Sequence, residues 1–212
     1  MRFLTFPLLL AALAPALTAA VRWNEINRQP PDWYAGPAAH AIAASVLQYQ
    51  AKEGGWPKNT DMTQPPSAAF LANPHADHRA ATIDNGATTT QLRFLARVLT
   101  AKADDELHAA FDRGFDYLLA AQYDNGGWPQ FFPLRPGYYT HITYNDNAMV
   151  NVLVVLREIA GGKVPFAFVD ETRRTKAAAS IEKAVGCILR TQVKQNGKPT
   201  VWCAQHDEKT LE

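Results

Sequence analysis

Two Asp-Asn pairs, Asp84-Asn85 and Asp146-Asn147, are the first residues in this sequence whose types suggest chemistry. Carboxylate and amide oxygens are hard donors, and a calcium ion takes about six to eight of them. Two carboxylates facing one cleft could equally act as acid and base in glycoside hydrolysis. An Asp at a helix start also commonly accepts a hydrogen bond from the first turn. Spacing along the chain leaves all three roles open.

The aromatic residues add a second candidate function. Trp56, Trp128 and Trp202 sit in loops rich in Gly and Pro. An indole there is either a lid packed on helix ends or a platform for a sugar ring. Tyr138, Tyr139, His141 and Tyr144 bring polar-edged rings to one of these loops. Lys58, Asn59, Gln130, His141 and His206 offer cationic and amide groups to an acidic or hydroxylated ligand. Arg93, Arg97 and Arg157 fall inside helical patterns and read as helix-packing or surface residues. No nucleophile elbow, phosphate loop or HExxH zinc motif is present.

The elements that position these residues are helical. Apolar residues share one face in the sets Ala35, Ala38, Ile42, Val46, Tyr49; Leu92, Leu95, Val98, Leu99; Leu107, Phe111, Phe115, Leu118; and Ile181, Val185, Ile188, Leu189. Met149 to Ile159 is apolar on nearly every side and predicts a helix buried between neighbours. Long loops, Gly54 to Asp84 and Asp124 to Asn145, separate the helices.

The pattern repeats. Gln50 precedes Gly54-Gly55-Trp56-Pro57-Lys58, and Gln122 precedes Gly126-Gly127-Trp128-Pro129-Gln130. A weaker third copy runs from Gln192 through Gly197, Pro199 and Trp202. The period is about 70 residues, each unit reading helix, loop, helix, with an Asp-Asn pair between successive copies. Helical hairpins repeated in this way stack side by side and gather their loops at one rim. The expected fold is therefore all-α, an array of helical hairpins with long rim loops.

Composition narrows the class. The 212 residues include 21 basic and 20 acidic side chains, and 47% are hydrophobic. A formal charge of +1 lacks the basic excess expected of a nucleic-acid binder. Residues 1–20 open with Met1-Arg2, continue through an apolar stretch and end on small residues, as a secretory signal peptide does. No later segment approaches the length of a membrane span. The mature chain, 21–212, is expected outside the cytoplasm or in the periplasm, as a monomer. There Cys187 and Cys203 either pair or remain as two buried thiols.

Five motifs in order resemble the pectate lyases of polysaccharide lyase family 10. They are Gly54-Gly-Trp-Pro-Lys-Asn59, Asp84-Asn-Gly-Ala-Thr-Thr-Thr-Gln91, Gly126-Gly-Trp-Pro-Gln-Phe-Phe-Pro133, Tyr144-Asn-Asp-Asn-Ala-Met149 and Trp202-Cys-Ala-Gln-His-Asp207. The resemblance implies a partial α/α toroid and calcium-dependent β-elimination on polygalacturonate, an acidic plant cell-wall polysaccharide. It assigns calcium to Asp84, Asn85 and Asp146. It places Trp56, Lys58, Trp128 and His206 in segments lining the substrate cleft. In that family an arginine removes the proton from carbon 5, and it lies C-terminal to the last motif, beyond Glu212. The expectation is thus a catalytic domain incomplete at its C-terminus, with little or no activity of its own. The alternatives are a pectin-binding remnant without activity, or a hydrolase on a helical toroid using Asp84 and Asp146.

Overall fold

A computed structural model describes residues 21–72 and 79–212. The expected signal peptide, 1–20, lies outside the described residues. Each helix begins and ends where local chemistry directs. Helix α1, Pro37–Tyr49, carries Pro37 at its first position, where a fixed φ suits the helix and no N–H is needed. The short α2 spans Ala68–Ala72, inside the long first loop. Helix α3 spans Thr89–Ala101. Helix α4, Asp105–Ala120, is capped by Asp104, whose carboxylate accepts the Leu107 N–H at 3.0 Å. Helix α5, Ala148–Gly161, stops at Gly162, which adopts φ 59°, ψ 20°. Helix α6, Glu171–Thr191, starts at Asp170, which accepts the Arg173 N–H at 2.9 Å.

Five short 3-10 helices and four two-residue strands complete the described elements. Strand β1 is Ile142–Thr143, β2 Lys194–Gln195, β3 Lys198–Pro199 and β4 Gln205–His206. Strands β2 and β3 pair antiparallel, as do β1 and β4 with Ile142 opposite His206. The chain is all-α in class, and the ladders serve to tie loops together. Helix α5 packs on α6, α3 on α4 and α5, and α1 on α3 and α4.

The helix faces follow the sequence in the centre of the molecule and depart from it at the edges. Leu92, Leu95, Val98 and Leu99 are buried, as are Leu107, Phe111, Phe115 and Leu118. Met149, Val152, Val155, Leu156 and Ile159 are buried in α5, while Val150 is exposed. In α1 the buried face is Ala39, Ile42, Ala43, Val46 and Tyr49, so Ala35 and Ala38 lie outside it. In α6 it is Ala177, Ser180, Ala184, Cys187 and Thr191, whereas Val185 and Leu189 are exposed. The small residues give α6 its close approach to α5; Val185 and Leu189 face outward, while Ile181 and Ile188 are partly buried against the core. No helix among the described residues is long and apolar enough to cross a membrane.

The repeat read from the sequence is reproduced bond for bond. Gln50 Nε2 donates to Gly54 O at 2.7 Å and to Ala110 O at 2.8 Å. Gln122 Nε2 donates to Gly126 O at 3.0 Å and to Ser180 O at 2.9 Å. Each glutamine thus ties its own loop to the helix that leads into the next copy, α4 for Gln50 and α6 for Gln122. Gly54 and Gly126 have φ of 101° and 94°, in the region open to glycine. A β-carbon there would overlap the carbonyl oxygen of Arg113 or Lys183 respectively. The indoles of the two copies cap helices. Trp56 Nε1 donates to Val46 O at 2.8 Å and Trp128 Nε1 to Leu118 O at 2.7 Å, each an acceptor in the last turn of the preceding helix. Trp202 Nε1 repeats the bond to Ile188 O in α6 at 2.7 Å.

The two cysteines are free, so neither sequence expectation for them holds as stated. Cys187 is buried in the α5–α6 contact and Cys203 is exposed. Burial also pushes the Cys187 thiol above its ordinary range, away from the reactive thiolate. A thiol reagent should therefore label one cysteine rapidly in the native chain and two after denaturation. Equal labelling of both in the native state would contradict this burial.

Candidate functional site

Asp84 is placed by a short turn, Asp84–Gly86, that precedes α3. The N-cap position of α3 is Thr88, and the Asp84 carboxylate accepts no N–H from the first turn of that helix, which removes the N-cap role. The carboxylate is instead a buried acceptor, 2% exposed, held by donors from three segments. Oδ1 accepts the Asn85 N–H at 2.9 Å. Oδ2 accepts Lys58 Nζ at 2.5 Å and Gln130 Nε2 at 2.6 Å. Lys58 and Gln130 occupy the same position of the repeat, directly after Gly-Gly-Trp-Pro. The two copies thus aim their variable residue at one carboxylate. A charged and a neutral donor together make burial of an anion tolerable.

The loops carrying these donors are stitched together by backbone. Thr82 pairs with Phe131 in an antiparallel bridge, and Thr82 N donates to Trp56 O at 3.2 Å. Gln130 O accepts Thr82 Oγ1 at 2.5 Å and Ile83 N at 3.3 Å. Thr88 lies at φ 63°, ψ −48°, a costly place for a β-branched residue. Its hydroxyl accepts the Trp56 N–H at 3.0 Å and donates to Thr82 O at 2.9 Å, which holds it there. The Trp56 loop and the Asp84 turn are consequently one rigid unit.

Asp146 occupies the matching turn, Asn145–Asn147, before α5. The N-cap position of α5 is Asn147, and the Asp146 carboxylate accepts no N–H from that helix. Asn85 and Asp146 both adopt left-handed backbone, φ 50° and φ 53°, which Asn and Asp tolerate through their short polar side chains. The two turns pack against each other, and the Asp84 turn also packs on α5. Asp146 is exposed, and its Oδ2 accepts Asn145 Nδ2 at 3.0 Å. Asn85 Nδ2 donates to Asn59 Oδ1 at 3.0 Å. The structure therefore brings Lys58, Asp84, Asn85 and Asp146 to one rim. Tyr138 lies over the same area. Its phenol is raised above the ordinary range mainly by its bond with Tyr139, and the Asp84 charge adds to this.

Three other expected site residues lie elsewhere. Trp56 and Trp128 have no exposed surface, so neither ring can stack on a sugar. Their polar edges are spent on helix ends, and Gly114 leaves the slot in α4 that the Trp56 ring fills. His206 is 2% exposed. Its Nε2 accepts the Cys203 N–H at 3.2 Å and its Nδ1 donates to Leu211 O at 3.1 Å, so it anchors the final loop rather than facing a ligand. Arg93 pairs with Glu158 at 2.8 Å and Arg97 bonds to the Arg93 carbonyl, as helix-packing residues do. Gln130, noted in the sequence only as one polar loop residue among several, proves to be a direct partner of Asp84. The repeat alignment of Gln130 with Lys58 is the sequence signal that could have found it.

The sequence profile of pectic acid lyase matches residues 50–212. The chain belongs to the pectic acid lyase family. Two solved structures are similar to it, both of the family 10 polysaccharide lyase from Cellvibrio cellulosa. One is a mutant in complex with trigalacturonic acid, at TM-score 0.72 and 34% identity over 90% of this chain and 56% of that one. The other has TM-score 0.71 and 33% identity over 90% of this chain and 55% of that one. The chain thus spans little more than half the length of these relatives. No curated protein sequence matches it. Within the pectic acid lyase family match lie the Lys58 loop, both Asp-Asn turns and the final Trp202 to Asp207 segment.

Proposed function

We propose that this chain carries the calcium and pectate site of a secreted pectate lyase. The observation that carries the reading is the packing of the two Asp-Asn turns, with Lys58 held beside them on Asp84. Asp84, Asn85 and Asp146 would hold the ion. The residues suit an oxygen-liganded cation. Gln130 Oε1 and Asn145 Oδ1, on the two residues bonded to these carboxylates, are buried oxygens without a hydrogen-bond partner. An all-oxygen donor set of this kind favours calcium over softer metals. When bound, calcium supplies Lewis acidity toward a uronate carboxylate, which loosens the proton on carbon 5.

The chain's own residues bind and orient the sugar. The rigid Thr82–Thr88 unit fixes the direction of the Asp84 carboxylate, and Lys58 adds a positive charge for a polyanion without making the whole protein basic. In the β-elimination that the family resemblance implies, an arginine takes the proton. Cleavage of the bond from carbon 4 to the glycosidic oxygen then leaves a 4,5-unsaturated end. The signal-like residues 1–20 and a cell-wall polymer as substrate agree on an extracellular or periplasmic site of action. The test is retention of the chain on immobilised polygalacturonate, expected with calcium and lost with chelator. Retention indifferent to calcium sinks the reading. In the same samples a rise in ultraviolet absorbance would report β-elimination. Saturated new ends would identify hydrolysis instead.

A further inference from the structure

We propose that Lys58 is a built-in counter-cation for Asp84, that calcium displaces it, and that the freed ammonium then pairs with the substrate's uronate carboxylate. The inference rests on the calcium reading of the site given above. Its starting point is the unequal pair of donors on Asp84 Oδ2. Gln130 Nε2 sits at 2.6 Å on a residue 6% exposed, whose backbone is fixed by Thr82, Ile83 and Tyr139. Lys58 Nζ sits at 2.5 Å on a side chain 32% exposed, at the end of a flexible stem. One donor is neutral and fixed; the other is charged and mobile.

A divalent ion sharing Asp84 with an ammonium on the same carboxylate would meet like-charge repulsion in a largely buried setting. Gln130 carries no charge and need not leave. Lys58 must move, and it has a place to go. Its side chain is a third exposed, and its ammonium already lies 5.6 Å from the centre of the Phe131 ring, so the stem can swing toward solvent and away from the Arg135 guanidinium that shares that ring. An aromatic face holds a cation weakly and without a directional bond, so the ammonium stays at the rim. There it faces the carboxylate that calcium brings in. Calcium and uronate thereby strengthen each other's binding, since each favours the arrangement in which Lys58 has left Asp84.

This gives a result opposite to the simple view of Lys58 as a fixed substrate contact. Calorimetric titration of calcium alone into Lys58→Met should show about tenfold tighter binding than wild type, because the competing cation is gone. An oligogalacturonide should tighten calcium binding to wild type several-fold more than it does to Lys58→Met. Lys58→Arg keeps the charge and should behave like wild type with calcium alone. Melting curves establish that each variant is folded at the titration temperature. If Lys58→Met is not, the polar neutral variant Lys58→Gln replaces it and must likewise bind calcium more tightly than wild type. Equal or weaker calcium binding by folded Lys58→Met overturns the inference while leaving the calcium site standing. No calcium binding by wild type, with or without oligogalacturonide, overturns the underlying reading of the site.

Discussion

Trp128→Ala should lower the stability of the folded chain by about 3–5 kcal/mol, the range for deleting a fully buried large aromatic side chain. The ring has no exposed surface, so its removal leaves a cavity bordered by helices that hold one another in place. The loss of the Nε1–H bond adds to this, because Leu118 O belongs to the last turn of α4 and has no following helical N–H to take its place. In a chain of this size each kcal/mol moves the melting temperature by about 2–4 °C. Trp202→Ala is the internal comparison. Its indole makes the same bond to α6 but is 41% exposed, so its truncation should cost much less. Calorimetric melting of the two variants decides the matter. Equal shifts would mean that the buried ring of the second copy is not a core element.

Asp84→Ala should weaken calcium-dependent binding of polygalacturonate by about a hundredfold or more, since a ligand contributes at least what its supporting shell does. It should also lower stability by about 1–3 kcal/mol, because Gln130 Nε2 and the Asn85 N–H lose a buried acceptor. Lys58 is a third exposed and recovers hydration, which limits the loss. Asp146→Ala separates the two effects. Its carboxylate is exposed and bonded only to the neighbouring Asn145 amide, so calcium binding should fall with the melting temperature nearly unchanged. Calcium titration and melting of both variants check this. Were Asp146→Ala to melt far earlier while its folded fraction kept full calcium affinity, the metal role of Asp146 would be wrong.

Much of this architecture was legible because it is local and repeated. The helix-loop-helix unit, the turn after Gly161, the Gly54 and Gly126 turns and the paired positions of Gln50 and Gln122 are all set by residues close in sequence. The edge helices were less legible. Val185 and Leu189 read as the apolar face of α6, yet α5 takes the face with Ala177, Ala184 and Cys187. Periodicity finds two such faces on a helix, and only the neighbour's shape selects between them. The tryptophans show the same limit. A Gly-rich loop predicts that an indole can turn either way, and the available carbonyl at the end of the preceding helix decides that it turns inward.

The sequence by itself determined the all-α repeat, the two Asp-Asn turns and, through five ordered motifs, the pectic acid lyase family. These rest on short-range preferences and on residue identity, which a single chain displays without folding. The tertiary structure decided which of the marked residues reach the rim. It buried Trp56, Trp128 and His206 as structural anchors, left Asp146 exposed and set Lys58 and Gln130 on one oxygen of Asp84. That convergence joins segments distant in sequence, and its geometry depends on how adjacent hairpins pack. No count of residues along the chain contains that angle.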